Sequence, residues 1–503
     1  MSSRGHAPSL AESPAVSATD RQEALLTRVL RGSFWMLNSN LFGRALNLAR
    51  GVILARLLVP DDFGLFGLAT VVIGFTGMFA DVGAGVFLVY SQDCVEEHVD
   101  TAFWANLGIA TLLAFGVLGA APFFARLYHR HDLVPVLGVL AVSLWLQTAT
   151  TVHRNLVRRS LRFRALAIVD SVLGLATFLI AVALAWRHYG VWSFVLSTLA
   201  GSALSAFLLF YIYPRVPRWR FSAMSFRALA PFSGWYIGQA IAWYLVFNID
   251  NLMVGKFLGI PALGLYGLAY NYSLLPIMFL GISLGNVVLA EFPRLYSDPP
   301  RFWSAFFTSS KLLAGLVCPL AAVLALVAPD VFPVLFGPKW ASAVAPFQIL
   351  AIYGAIRGIW MEPFCALGKF RAFFWVGLAT LLLAALAIYV ALPYGKTGVA
   401  LAVLLTVGPS HIASLYIASG SLAIWGRGLR NSAPYFLTAA ASAVLAIFIR
   451  RGFALAITSN PEVLALVSCT TVFAIYGAMF YKELREYIAL FMHKLPVPAD
   501  EAA

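Results

Sequence analysis

The chain has 503 residues, 61% of them hydrophobic and 11% charged, and its 35 Lys and Arg outnumber 22 Asp and Glu to leave a formal charge of +13. A soluble domain carries about 25% charged residues, so this chain lacks the charge to clothe a water-exposed surface. Its basic excess sits in clusters between apolar runs, which is the pattern of membrane topology and not of a nucleic-acid partner.

Residues 1–28 are polar and rich in Ser and Ala, without the apolar stretch and cleavage site of a signal peptide, and are expected to form a disordered cytoplasmic tail. Crossing a hydrocarbon core of roughly 30 Å takes about 20 apolar residues as a helix. That ruler places spans at 33–55, 64–88, 102–125, 133–152, 165–186, 190–212, 231–255 and 263–290, then at 303–328, 341–366, 372–392, 397–419, 432–449 and 462–481. The expected fold is an all-α polytopic membrane protein of fourteen spans. Residues 29–213 form an N-lobe of six spans, 214–230 a basic cytoplasmic linker, 231–420 a C-lobe of six, and 421–503 an accessory pair with a cytoplasmic C-terminal tail. With the N-terminus inside, about two thirds of the basic residues fall on the cytoplasmic side, as the positive-inside rule requires. The strongest markers are Arg154, Arg158, Arg159, Arg162 and Arg164, then Arg215, Arg218, Arg220 and Arg227. Both termini are therefore expected in the cytoplasm. The four cysteines, Cys94, Cys318, Cys365 and Cys469, form no CxxC pair and point to neither a disulfide framework nor a metal site.

Residues 55–69 read ARLLVPDDFGLFGLA and residues 255–269 read GKFLGIPALGLYGLA. At a constant offset of 200, Leu58/Leu258, Gly64/Gly264, Leu65/Leu265, Gly67/Gly267, Leu68/Leu268 and Ala69/Ala269 are identical, and Arg56/Lys256 and Phe66/Tyr266 are conservative pairs. Membrane segments rich in Gly and Leu do match by chance. Here, however, both copies take the same place: the end of a span, a tight outer turn and the start of the next. An even number of spans separates them, so both point the same way through the membrane. This predicts a parallel duplication of spans 1–6 and 7–12 about an axis along the membrane normal, enclosing a cavity at the seam.

Ionisable groups inside a bilayer cost about 2.5–3.5 kcal/mol each on translocon scales and face protein or water. Ser33, Asn40, Arg44 and Asn47 share one helical face of span 1. Arg44 lies about 16 Å in from the cytoplasmic start, beyond full snorkelling reach. It is expected to line a cavity; the alternative is an anchor to the carbonyls of a neighbouring helix. Arg50 lies nearer the outer interface, where it either joins that cavity or snorkels. Span 7 carries Tyr236, Trp243, Phe247 and Asp250 on one face, suited either to stacking on sugar rings or to ordinary packing. Asp250 is the repeat-mate of Arg50. It is open to three readings: an ion pair between lobes, a site for a coupling cation (proton or sodium), or an interfacial acid without a partner. Arg357 is about 18 Å from the cytoplasmic Lys369 and is the expected companion of Arg44, since guanidinium forks match phosphate oxygens in pairs. Glu362 is a second ion-coupling candidate. His411 reads as a packing histidine, Asp81 lies toward the cytoplasmic interface, and turn chemistry accounts for Asp61 and Asp62.

No Walker-type loop, HExxH, GxSxG or clustered metal ligand set occurs, so neither enzyme chemistry nor a cofactor is expected. A membrane glycosyltransferase or polymer ligase would need a sizeable outer loop with catalytic groups. A drug/cation antiporter would show an acidic or apolar cavity.

The runs GVILARLLVPDDFGLFGLATVV, FNIDNLMVGKFLGIPALGLYGLAYNYSLLP and LFGPKWASAVAPFQILAIYG resemble the polysaccharide-transport (Wzx-type) flippases of the multidrug/oligosaccharidyl-lipid/polysaccharide exporter superfamily. The resemblance covers roughly residues 28–420. It implies movement of an undecaprenyl-pyrophosphate-linked oligosaccharide across a bacterial inner membrane to the periplasmic leaflet, ahead of polymerisation into O-antigen, capsule or exopolysaccharide. It also implies a cationic cavity, which Arg44 and Arg357 would supply, and a polysaccharide polymerase and export machinery as partners. A peptidoglycan-precursor flippase or a drug/cation antiporter shares the same expected fold.

Overall fold

The computed structural model describes residues 18–80, 96–214, 217–220, 222, 234–279, 298–359, 367–456 and 460–494. Among the described residues the chain is helix and connecting turn, with no strand. In hydrocarbon each backbone N–H and C=O must be satisfied within the protein, and a helix does this inside one segment. Eight helical stretches of the described residues are long and apolar enough to cross a bilayer.

The first half contains α1 (Ala18–Leu57), α2 (Pro60–Gly77), α3 (Glu96–Leu127), α4 (Leu133–Arg159), α5 (Phe163–Trp186) and α6 (Trp192–Ile212). Helix α1 begins at Ala18, so residues 18–28 are helical and not part of a disordered tail. Their run of Arg, Gln, Glu, Ala and Leu is rich in strong helix formers, and the helix continues without a breaker into the first span. The second half contains α7 (Gly234–Val246), α8 (Ile249–Met253), a π-helical turn at Val254–Leu258, and α9 (Ile260–Ser273). It continues with α10 (Pro299–Phe336), α11 (Val344–Ile359), α12 (Phe370–Ala391) and α13 (Gly395–Ser419). The expected seventh span is thus broken at residues 247–248, and Gly259 turns the chain into α9 at φ 91°, a conformation that glycine adopts without a Cβ penalty.

Both halves pack in the same order. In the first, α1 lies on α5, α3 on α4, α4 on α6, α5 on α6 and α2 on α4; in the second, α7 lies on α12, α10 on α11, α11 on α13, α12 on α13 and α9 on α11. The last two helices, α14 (Leu422–Ala456) and α15 (Pro461–Lys494), pack on each other and on α10. Arg450 of α14 fixes them to α10 with a two-pronged pair to Asp330 at 2.6 and 2.8 Å.

The lobes meet most closely where α2 crosses α9, and Leu65, Leu68 and Ala69 share one buried cluster there with Leu268 and Ala269. A Cβ built on Gly64 would collide with the carbonyl of Ile260, and one built on Gly264 with the carbonyl of Pro60. These two contacts exchange when 200 is added or subtracted, which is the signature of a two-fold axis between the helices. The duplicated motif is therefore the seam itself. Here the turns joining α1 to α2, α3 to α4, α5 to α6 and their mates lie at one end of the bundle, called distal below because it is far from the start of α1.

Candidate functional site

A cavity of about 610 Å3 opens beside the α1–α9 seam. Its α1 wall carries Asn40, Arg44, Asn47 and Arg50, the polar face that helical spacing placed together, and its opposite wall carries Asn271 and Tyr272 of α9. Asn40 and Asn47 are exposed, whereas Arg44 and Arg50 are half-buried. The Arg44 guanidinium donates to the Met278 carbonyl and lies 6.0 Å from the centre of the Phe279 ring. It therefore both lines the cavity and anchors a neighbouring helix. Tyr272 closes the seam above it, donating to the Leu48 carbonyl at 3.4 Å.

Asp170 of α5 also lines this cavity. Arg154 of α4 takes up its carboxylate from behind with both guanidinium nitrogens. Among the described residues neither Arg44 nor Arg50 is paired with a carboxylate. Among the described residues the wall facing the cavity is thus cationic, and Asp170, the one acid lining it, is neutralised by Arg154.

Arg357 is not in this cavity. It points into the C-lobe, where its guanidinium donates to Tyr270 Oη at 3.1 Å and lies 3.8 Å over the Phe247 ring. Tyr353, one turn earlier on α11, shares side-chain hydrogen bonds with Arg357 and Tyr270. The expected Arg44–Arg357 cradle is therefore two separate sites, because Arg357 faces α9 within its own lobe. Asp250 is 2% exposed, and Tyr266 Oη donates to its Oδ2 at 2.7 Å while the Asn251 backbone N–H donates to Oδ1 at 2.8 Å. The break between α7 and α8 turns this carboxylate inward, so it forms no pair with Arg50, nor does it lie at an interface without partners. Asp250, Tyr266, Tyr270, Tyr353 and Arg357 make one polar core spanning α8, α9 and α11.

Trp243 is buried, donating through Nε1 to the Phe373 carbonyl at 3.3 Å and stacking 5.5 Å from His411. Tyr236 sits edge-on to Phe370 at 5.4 Å. Both aromatics lie between α7 and α12, outside the cavity lining, Trp243 buried and Tyr236 exposed. Glu362 and Asp81 lie outside the described residues. Sequence reasoning noted Tyr266 only as the repeat-mate of Phe66 and did not single out Tyr270 and Tyr353, although Tyr266/Tyr270 and Tyr353/Arg357 are each spaced one helical turn apart. Arg154 stood out in the sequence only as a topology marker.

The repeat supplies a second seam, between α7 and α2, with a cavity of about 430 Å3. Tyr244 stands there where Arg44 stands in the first, and Val71, Val72, Phe75 and Phe79 replace Asn271, Tyr272, Leu275 and Phe279. Tyr244 Oη donates to the Val71 carbonyl at 2.7 Å. The equivalent cavity is apolar.

Two like-oriented helical lobes meeting at one cationic and one apolar seam define a polytopic helical membrane protein built on an internal repeat. A similar fold is seen in the lipid II flippase MurJ in its inward closed conformation, at a TM-score of 0.67 and 16% identity over 90% of this chain and 99% of that one. In sequence, the chain is 28% identical over 324 residues to the succinoglycan biosynthesis transport protein ExoT of Rhizobium meliloti (strain 1021), covering 64% of this chain and 66% of that one. It is 23% identical over 338 residues to the lipopolysaccharide biosynthesis protein WzxC of Escherichia coli (strain K12), covering 67% of this chain and 69% of the relative. Residues 53–345 match the family described as polysaccharide biosynthesis protein, and the chain belongs to that family.

Proposed function

We propose that the chain is a carrier, not an enzyme, that moves an undecaprenyl-pyrophosphate-linked oligosaccharide repeat unit across a bacterial inner membrane by alternating access. The product would feed polymerisation into exopolysaccharide, capsule or O-antigen, with a polymerase and export machinery as partners downstream. The observation that carries this reading is the α1–α9 cavity, where Arg44 and Arg50 line the wall without carboxylate partners among the described residues. A diphosphate and several sugars cannot cross hydrocarbon, whereas a polyprenyl tail stays in it. Guanidinium groups at depth offer paired N–H donors to phosphate oxygens, and the seam lets the tail remain in lipid. The transport and biosynthesis roles in the names of ExoT and WzxC support the substrate class. The basic excess on one side supports cytoplasmic termini. Asp250, buried against Tyr266, is the group to take up a coupling proton or sodium ion, with Glu362 the second candidate.

Arg44→Ala should abolish polymer output while leaving the amount of protein in the membrane unchanged, and should weaken binding of a polyprenyl-pyrophosphate lipid to the reconstituted protein. Arg44→Lys should retain part of both, since charge survives and the two-pronged fork does not. Normal output and binding from Arg44→Ala would remove the cavity from the mechanism.

A further inference from the structure

A carrier of two lobes needs a closure that forms and breaks at one end, and the distal end carries one such closure in duplicate. Arg56 lies in the last turn of α1, and Lys256 holds the equivalent place 200 residues on. Arg56 reaches into the C-lobe, where Nε donates to the Leu335 carbonyl at 2.9 Å and Nη2 to the Val334 carbonyl. These belong to the last turn of α10, whose carbonyls have no partner within the helix. Lys256 reaches into the N-lobe and donates to the carbonyl of Leu127, the last residue of α3. In the packing order above, α3 and α10 are themselves equivalent.

The bonds also run the other way. Lys339, just past α10, donates to the carbonyls of Arg56 and Leu58, and Trp340 Nε1 donates to Ala55 at 2.8 Å. Tyr128, just past α3, donates to the carbonyl of Leu252 at 3.2 Å. Each lock is thus a reciprocal exchange between two helix ends of different lobes. A cation at a helix C-terminus sits on the negative end of the macrodipole. Neither Arg56 nor Lys256 has a carboxylate partner among the described residues. Their bonds therefore exist only while the lobes are together, and the exposed Arg56 and half-buried Lys256 exchange them for water once the lobes part. A carboxylate partner on their own lobe would have held them in either state.

We propose that Arg56 and Lys256 are the paired closure of the distal gate: repeat-equivalent cations that hold the two lobes together by binding the C-terminal carbonyls of α10 and α3. The locks flank the start of the α2–α9 crossing, where Gly64 and Gly264 bring the two lobes' backbones together at the same end. This assignment rests on the alternating-access reading, but its test needs no transport.

Tyr189 and Tyr394 are exposed in distal turns of the N-lobe and C-lobe. Spin labels on Tyr189→Cys and Tyr394→Cys, in a background with the native cysteines replaced by serine, report the distal distance in vesicles. Arg56→Ala/Lys256→Ala should raise the population of the wide-distance state about tenfold or more. Arg56→Ala alone should give a smaller rise, and Arg56→Lys or Lys256→Arg a near-native distribution. An unchanged distribution in both the single and the double alanine variants would overturn the proposal, as would an equal shift in the alanine and the charge-conserving variants. Were the double variant not to fold, Arg56→Ala alone decides by the same reading. Failure of the transport reading would appear instead as native protein that moves no lipid, with these distances still readable.

Discussion

The two seams between the lobes began as copies and now differ in chemistry. The α1–α9 seam presents Arg44, Asn40, Asn47 and Asn271 to a cavity of about 610 Å3, whereas the α7–α2 seam presents Tyr244, Val71 and Phe75 to one of about 430 Å3. Both occupy equivalent positions in the repeat, so the fold places the same demand on each. Tyr244 shows that a tyrosine satisfies that demand by donating to a backbone carbonyl across the seam. Arg44 makes the same kind of contact to Met278, yet carries a charge whose insertion at depth costs about 2.5–3.5 kcal/mol. That extra cost at one seam only is the physical sign of a function at that seam.

The equivalence itself is the most fragile part of the comparison. Gly264→Val should push a side chain into the Pro60 carbonyl, and Gly64→Val should do the same to Ile260, each lowering stability by about 3 kcal/mol or more. Thermal unfolding of the purified protein should rank the two variants together; a native melting temperature in either would remove the two-fold axis from the crossing. Next in size is the charge balance of the cationic seam. Arg154→Ala should leave the Asp170 carboxylate uncompensated in the cavity wall and weaken polyprenyl-pyrophosphate lipid binding about tenfold. Adding Asp170→Asn should restore that binding, and an absence of rescue would separate the pair from the site. The smallest effect belongs to the apolar seam. Tyr244→Phe removes one hydrogen bond and should cost about 1 kcal/mol of stability, with lipid transport near that of the native protein; a large loss of transport would place function at both seams.

The helical character, the repeat at an offset of 200 and the clustering of Asn40, Arg44 and Asn47 were legible from residue types and spacing alone. A helix turns 100° per residue wherever it sits, so spacing settles which side chains share a face. Spacing does not settle what that face meets. Arg357 and Asp250 were each visible as charges out of place. Their positions inside the C-lobe followed from the break at residues 247–248, from Tyr266 and Tyr270 of α9, and from Tyr353 one turn before Arg357 on α11. The start of α1 was missed for a different reason: a polar composition suggested disorder, while strong helix formers and an adjoining span carry the helix back to Ala18.

By itself, then, the order of residues determined that this protein lives in a membrane as two like-oriented helical halves and that one face of its first helix is polar. Only the tertiary structure decided that Arg44 lies at the seam between the lobes while Arg357 is enclosed in the C-lobe, that Asp170 is neutralised by Arg154, and that Arg56 and Lys256 reach across the seam to helix ends. The physical reason is that backbone periodicity is a local property of the chain. The partner of a charge is chosen by how distant helices rotate and cross, and in a low-dielectric interior that partner decides what the charge does.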